Sequence, residues 1–417
     1  MSEAAAPAAE NETEPDNHRS FGKNVVDAVM EGNAVTVTIL AIFTAIVVGG
    51  LLILITGTGA LSARWDKAIG AYVALFEGSI FNPHTIAAFF QQSSLSTAVH
   101  NGYLGAVFNP LSETCVQATP LLLAGLAVAL PYQAGMFNIG GQSQFIGGAI
   151  LATYLGYGVH LPIVVHVVVC VVGGFVGGAV IGGAVGLLKA TTGAHEVITT
   201  IMLNYVMAYL LSFLLGNVMQ RPGRTDLISP VIAGDAHLPQ LFGSTLRVNA
   251  GILIAVACAV AVGWLLSRTT TGLEFRAIGK NPSAARVAGM NVNRSWVLVM
   301  LLAGGLAGLA GATVIQGTDF SVNFQTPGTY GIDAITVALL GRGKPLGVVL
   351  AAFLFGALHA GAPLMQAATS TSVDIVQVLQ ALIVIFVAAP PLIRTMYRLR
   401  ATRAAGVGQV LSKGWNA

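Results

Sequence analysis

Charge is scarce in this 417-residue sequence. Only 9% of its residues are Asp, Glu, Lys or Arg, against about 25% in an ordinary soluble domain. A chain of this length folded in water makes two or three domains. Its 37 charged side chains, 20 basic and 17 acidic, cannot cover the surfaces of that many. With 55% of residues apolar, a soluble enzyme is excluded and so is a disordered chain. Cysteine is nearly absent too. Cys115, Cys170 and Cys258 are scattered in or beside apolar runs, form no CxxC pair and read as buried thiols, which excludes a disulfide-stapled fold. The net charge of +3 comes with no basic face interleaved with aromatics, so no nucleic-acid partner is expected. Residues 1–33 begin with a stretch rich in Ala, Glu and Pro. They read as a disordered acidic tail and lack the basic start of a secretory signal, so no cleavage is expected.

Enzymatic signatures are missing as well. Gly279-Lys280 has Glu274 where a phosphate-binding loop needs its first glycine, and Asn281 where it needs Ser or Thr. No HExxH, GxSxG or cluster of metal ligands occurs. His160, His166, His195 and His359 are dispersed along the chain and read as packed or interfacial side chains. No catalytic residue, metal or cofactor is therefore expected in this chain.

What is present is a series of long apolar runs. A helix needs about 20 apolar residues to cross the hydrocarbon core. Candidate spans lie near 34–56, 114–131, 139–157, 161–188, 195–218, 249–267, 295–316, 346–362 and 374–391. A shorter piece, 330–341, brings the expectation to about ten segments in an all-α, polytopic membrane helix bundle. Charge placement orients it. Arg268, Arg276, Lys280, Arg286 and Arg294 fall between two runs, Arg342 and Lys344 in a short loop, and Arg394, Arg398, Arg400, Arg403 and Lys413 in the C-terminal tail. With both termini inside, all of these and Lys189 lie in the cytoplasm; Arg221 and Arg224 are left outside. The domain reading is then a membrane-spanning body over 34–391, a long outside connection over 57–113, a cytoplasmic loop over 268–294 and a basic cytoplasmic tail over 392–417, in a multi-pass protein of the cell membrane.

Within 57–113, Trp65, Ile69, Tyr72 or Val73, and Phe76 recur at helical spacing, which suggests a helix lying in the membrane interface. Phe108-Asn109-Pro110 echoes Phe81-Asn82-Pro83, an echo too short to indicate a duplication. The 50 glycines are not evenly spread. Gly173/Gly174, Gly177/Gly178, Gly182/Gly183 and Gly186 repeat every four to five residues in one run, and Gly304, Gly308 and Gly311 do so in another. Small residues at that spacing let helix backbones approach closely in lipid.

The segment Lys280-Asn281-Pro282-Ser283-Ala284-Ala285-Arg286-Val287-Ala288-Gly289 is the most informative. Asn281 suits a helix N-cap, Pro282 the first helical position and Gly289 a stop. That predicts a helix of about seven residues, roughly 10 Å long, on the cytoplasmic side. A helix so short is marginal alone; it is either an incidental loop helix or a docking knob for a partner. Ser283-Ala284-Ala285-x-x-x-Gly289 resembles the Glu-Ala-Ala-x-x-x-Gly signature of the coupling loop in ABC importer permeases, with Ser in place of Glu as in the sugar and nucleoside branch. Residues 135–144 (GMFNIGGQSQ), 195–205 (HEVITTIMLNY) and 331–341 (GIDAITVALLG) support that branch, and with the coupling loop they cover about 115–345. Phe-Asn-Ile-Gly and Thr-Ile-Met-Leu-Asn look most like its nucleoside-type members, which usually carry Gly where Ser143 stands.

The resemblance implies a permease subunit without ATPase activity. It would act with a cytoplasmic ABC ATPase that binds ATP and Mg, a second similar but distinct permease chain, and an extracytoplasmic solute-binding protein. Asn281, Pro282, Ala284, Ala285, Arg286 and Gly289 would couple ATPase motion to the spans. Polar groups at membrane depth are costly and mark candidate pathways. Asn138, Gln142 and Gln144 cluster where one run breaks, and Asn204 lies about 12 Å along a helix from Glu196. Their amides both donate and accept, which suits a neutral hydroxyl- or base-bearing solute, and Phe137 could stack on a ring; alternatively the amides only bridge helices. Asp319, Asp333 and Glu196 read as helix-terminus residues. The expectation is an importer of nucleosides, with a ribose-like sugar permease as alternative. An ion-coupled transporter stands behind both, because that class needs more ionisable groups within the membrane.

Overall fold

A computed structural model describes residues 34–57, 60–91, 103–243 and 245–399. The acidic tail expected over 1–33, and the basic tail from 400 onward, lie outside the described residues. The chain divides into two units, 1–46 with 385–417, and 47–384. In the first, the hydroxyls of Thr44 and Tyr397 are 2.9 Å apart.

The second unit is all-α, its only strand-like pairings among the described residues being isolated bridges from Ile228 to Asn323 and from Gln240 to Asn249. Across both units the helices are α1 (Ala34–Thr56), α2 (Leu61–Ser79), α3 (Pro83–Phe90), α4 (Tyr103–Gln133), α5 (Gly141–Gly158), α6 (Ile163–Thr192), α7 (Glu196–Asn217) and α8 (Gly251–Arg268). After them come α9 (Thr270–Lys280), α10 (Pro282–Val287), α11 (Val292–Val314), α12 (Tyr330–Leu340), α13 (Pro345–Thr369), α14 (Asp374–Ala388) and α15 (Pro390–Met396). Seven of them are long and apolar enough to cross a membrane, or eight if α14 and α15 count as one span. The remaining two of the expected ten are α5 and α12. Of these, α12 with its 11 residues is short for a span.

The glycine runs pack as their spacing suggests. A Cβ on Gly178 of α6 would strike the carbonyl oxygen of Gly304 on α11, and one on Gly308 would strike that of Gly174. The two backbones touch directly along antiparallel helices. Around them, α4 is sheathed by its neighbours, with Leu121, Leu122, Leu123 and Leu126 fully buried.

The helix expected near residues 65–76 is α2, and it does not lie alone at an interface. Its small face, with Ala68, Ala71 and Ala74 buried, runs antiparallel along the end of α13, where a Cβ at Gly78 would come 3.0 Å from the Cα of Gly361. Trp65, Ile69, Val73 and Phe76 are exposed on the other side, an apolar face suited to lipid. The echoed tripeptides have different fates. Asn82 caps α3, accepting from the His84 N–H at 2.9 Å, with Pro83 at the first position; Pro110 sits inside α4.

Candidate coupling knob and substrate pathway

The loop from 269 to 291 is built as a rigid bracket. Thr269 caps α9 by accepting from the Gly272 N–H at 3.1 Å. Asn281 caps α10 by accepting from the Ala284 N–H at 3.0 Å, and Asn291 caps α11 by accepting from the Arg294 N–H at 3.0 Å. Pro282 occupies the first position of α10, whose six residues end as Gly289 turns left-handed at φ +82°. Gly289 donates to the Arg286 carbonyl and Met290 to that of Ala285. Only Ala285 of this helix points inward, into a cluster with Ile278 and Val292 that Met290 and Trp296 cover. The remainder of α10 is exposed, and Val287 stands 91% exposed. The Lys189 ammonium lies 5.0 Å above the Trp296 ring and pairs with Glu196, the first residue of α7.

The second feature is a pair of helices, α5 and α12, that start beside one another. α4 ends at Gln133, whose amide donates to the Gly343 carbonyl at 2.7 Å, and Gly135 packs on Gly279. Both contacts place residues 132–135 on the same face as α9 and α10. From there, 134–140 runs back without helical structure and is largely buried. α5 then starts beside Gly331, at the beginning of α12. Since α12 has 11 residues, about 16 Å of helix, α5 begins roughly half a bilayer from the knob face. Gly141 and Tyr330 thus stand near the adjoining starts of α5 and α12, and Phe145 stacks on Tyr330 with centroids 5.4 Å apart.

The amides singled out in the sequence hold this break together. Pro131 lacks the N–H that would bond the Ala127 carbonyl within α4; Asn138 Nδ2 donates to it instead at 3.1 Å. Asn138 and Gln144, both fully buried, bond reciprocally at 2.9 and 3.1 Å, and Gly140 N–H donates to Asn138 Oδ1 at 3.1 Å. Asn204 accepts from the Ser143 N–H at 2.9 Å and donates to the Ile139 carbonyl at 3.1 Å. Gln142 accepts from the Gly331 N–H at 2.8 Å and donates to the carbonyls of Pro327 and Gly328. Ser143 donates to the Gly140 carbonyl at 2.7 Å, which fits the turn. Asn138→Ala would leave two main-chain groups and the Gln144 amide without partners, at about 1–3 kcal/mol for each buried group. We expect Asn138→Ala and Asn204→Ala to slow uptake while an associated ATPase still copurifies. Wild-type rate and affinity in both would exclude the amides from the pathway.

Four cavities lie nearby. One, about 640 Å³, is bordered by Glu77, Asn109, Glu113 and Arg247, with Arg247 Nη1 donating to Glu113 at 3.0 Å. Arg247 also borders a cavity of about 90 Å³ with Gln117, Asp319 and Tyr330. Asp319 and Tyr330 in turn border one of about 390 Å³ with Asn323, Gln325 and His359. On the knob side, Phe137, Tyr132 and Arg342 line a cavity of about 190 Å³. Between the outer and inner cavities, α4 is closed: Gly125 packs on Val337 and Val348. Irregular backbone at membrane depth is tolerated where it is buried or lines a water-filled space; residues 134–140 are largely buried, and 319–329 border the cavity of about 390 Å³.

Composition did not single out 315–330. Its distinguishing signals are conformational: a π-helical turn over Ile315–Asp319 and Phe320 held left-handed at φ 55°. Phe320 stacks on His237 at 4.1 Å. Burial lowers the His237 pKa, against an opposing pull from a backbone hydrogen bond at Ile232. Unfolded histidine protonates below about pH 6.5, so as pH falls from there toward the lower folded value the unfolded loop binds more protons and the folded loop loses stability. Hydrogen exchange across 229–238 should show that loss of protection between pH 7.5 and 5.5, and His237→Gln should flatten it.

Residues 111–388 match the family described as branched-chain amino acid transport system, permease component. The chain is 33% identical over 329 residues to the guanosine ABC transporter permease NupP of Bacillus subtilis, covering 78% of this chain and 91% of that one. It is 36% identical over 285 residues to the glucose ABC transporter permease TsgB13 of Haloferax volcanii (66% and 75%). With the nucleoside ABC transporter permease NupB of Lactococcus lactis it shares 33% over 299 residues (69% and 81%). No solved structure matches the chain.

Proposed function

Because the chain belongs to the family of branched-chain amino acid transport system permease components, we propose that it is the membrane-spanning subunit of an ATP-driven importer whose solute is a nucleoside. It is a multi-pass protein of the cell membrane. The observation that carries the reading is the α10 knob. A helix capped at its start, stopped at its end and seated by one buried side chain presents everything else, Val287 foremost, to a partner. A separate cytoplasmic ATPase receives that knob and holds the ATP and Mg. Its closure moves the bracket, and through Ser295 Oγ, which donates to Glu274 at 3.1 Å, α9 and α11 move together. A second, similar permease chain completes the pathway, and an extracytoplasmic binding protein delivers the solute to the outer cavities.

Nucleoside leads because the guanosine and nucleoside permeases both align over more than two thirds of this chain. The glucose permease supports a sugar as the second reading. Purification of the tagged chain from its native membrane in mild detergent tests the assembly. An ATPase with Walker motifs and a second permease are the expected companions; the chain alone, again after crosslinking, would overturn the reading. Uptake of labelled guanosine, uridine and glucose then separates the solutes. Loss of uptake on ATP depletion, with persistence under an uncoupler that spares ATP, separates this class from ion-coupled transport.

A further inference from the structure

We propose that Gln117, Asp319, Gln325 and Tyr330 form a transit site that holds the solute halfway across the membrane and recognises it as a heteroaromatic base joined to a hydroxylated ring. This deepens the nucleoside reading above and rests on it. The argument starts from which polar groups the fold leaves unused. At the break between α4 and α5, the amides of Asn138, Gln142, Gln144 and Asn204 are engaged with the chain itself. Across α12, among the described residues, the side-chain amides of Gln117 and Gln325 and the hydroxyl of Tyr330 have no hydrogen-bond partner, yet they line the adjoining cavities of about 90 and 390 Å³. Gln117 and Tyr330 are half-buried and Gln325 is exposed, so all three stand open to water or a solute, and a half-buried polar group is unfavourable unless one of these satisfies it. The larger cavity falls in the range of small-molecule sites, about 300–1,000 Å³.

Each group suits one part of such a solute. The Tyr330 ring is fixed by its stack on Phe145 and stands where the two cavities meet, as an aromatic surface for a base. Gln117 on α4 and Gln325 in the 323–329 turn each offer a donor and an acceptor, the pairing a base edge presents. The Asp319 carboxylate, with four lone-pair positions of which Thr318 at 3.1 Å and Thr326 take two, can accept from solute hydroxyls at the others. The π-helical turn and the left-handed Phe320 immediately around Asp319 place it at the cavity junction instead of along the continuing face of α11, and strained backbone of this kind concentrates at functional sites. His359, which also borders the larger cavity, lies 3.8 Å from Asp333.

The test is initial-rate uptake of labelled guanosine, uridine and glucose by cells carrying the complete transporter, with assembly checked by copurification of the ATPase. Base–aromatic stacking sets the expected scale: Tyr330→Leu should lower guanosine uptake at subsaturating concentration about tenfold, and Tyr330→Phe should retain most of it. Gln117→Ala and Gln325→Ala should change the guanosine-to-uridine ratio, a readout that loss of folded protein does not move. Gln325 is exposed, so its variant decides the matter if Tyr330→Leu fails to assemble. Wild-type import of nucleosides with unchanged rates and ratios in these variants overturns the site and leaves the proposed function standing. Wild-type import of glucose with neither nucleoside overturns the nucleoside reading, and the site's chemistry with it, before any variant is made.

Discussion

Gly289→Pro is expected to cut transport about a hundredfold while leaving the chain in the membrane. Gly289 sits at φ +82° and its N–H donates to the Arg286 carbonyl. Proline is locked near φ −65° and has no N–H, so it can supply neither; the penalty for such a misfit is about 3 kcal/mol or more. A six-residue helix has no reserve of its own against that, and 3 kcal/mol is about a hundredfold in the population of the formed knob. The spans are untouched, since a Cβ at Gly289 meets nothing within 4 Å. Ala285→Glu reaches the same end differently, by forcing a carboxylate between Ile278 and Val292, where an unpaired charge is not tolerated. Uptake, membrane abundance by immunoblot and ATPase copurification together decide. Normal uptake by both variants would remove the coupling assignment, and lost uptake with normal abundance supports it.

Gly308→Leu should prevent the bundle from forming at all. The position has no room on either side: its own Cβ would overlap the Gly174 carbonyl and approach the Gly178 nitrogen at 2.8 Å, and its carbonyl is what a Cβ on Gly148 would strike. Three helices meet there by backbone contact, so no rotamer change makes space, and α6 must separate from α11. Overpacking a core costs about 1–3 kcal/mol where side chains can adjust; here only backbones could move, and the loss is larger. Gly183→Ala is the matched control on the facing helix, α6, with its nearest neighbour, Leu301, at an ordinary 3.7 Å. Fluorescence-detected size exclusion should show aggregate for Gly308→Leu and a wild-type peak for Gly183→Ala. A monodisperse, transporting Gly308→Leu protein would mean that α6 and α11 do not pack as described.

Both of these sites were legible in the sequence, because both rest on short-range rules. Asn281, Pro282 and Gly289 act through hydrogen bonds three or four residues long and through fixed φ values, and the structure reproduces cap, first position and stop. The glycine spacing is a helical repeat, so it identified the faces of α6 and α11 before their contact was seen. The span count was less secure: α5 and α12 are too polar or too short to pass as independent spans, and each is half of a break that only the other completes.

The sequence by itself determined that this is an all-α membrane protein, where its spans run, which loop carries the knob and which family signature that knob bears. Composition and local periodicity carry that information, and both survive without knowing what touches what. Only the tertiary structure decided how the polar residues divide. Gln142 meets Gly331 from 189 positions away and Asn204 meets Ser143 from 61, while Gln117, Gln325 and Tyr330 meet a cavity instead. An amide looks the same in the chain whether it will bond a neighbouring backbone or stay open to a solute; what separates the two is which donors and acceptors folding leaves unfilled.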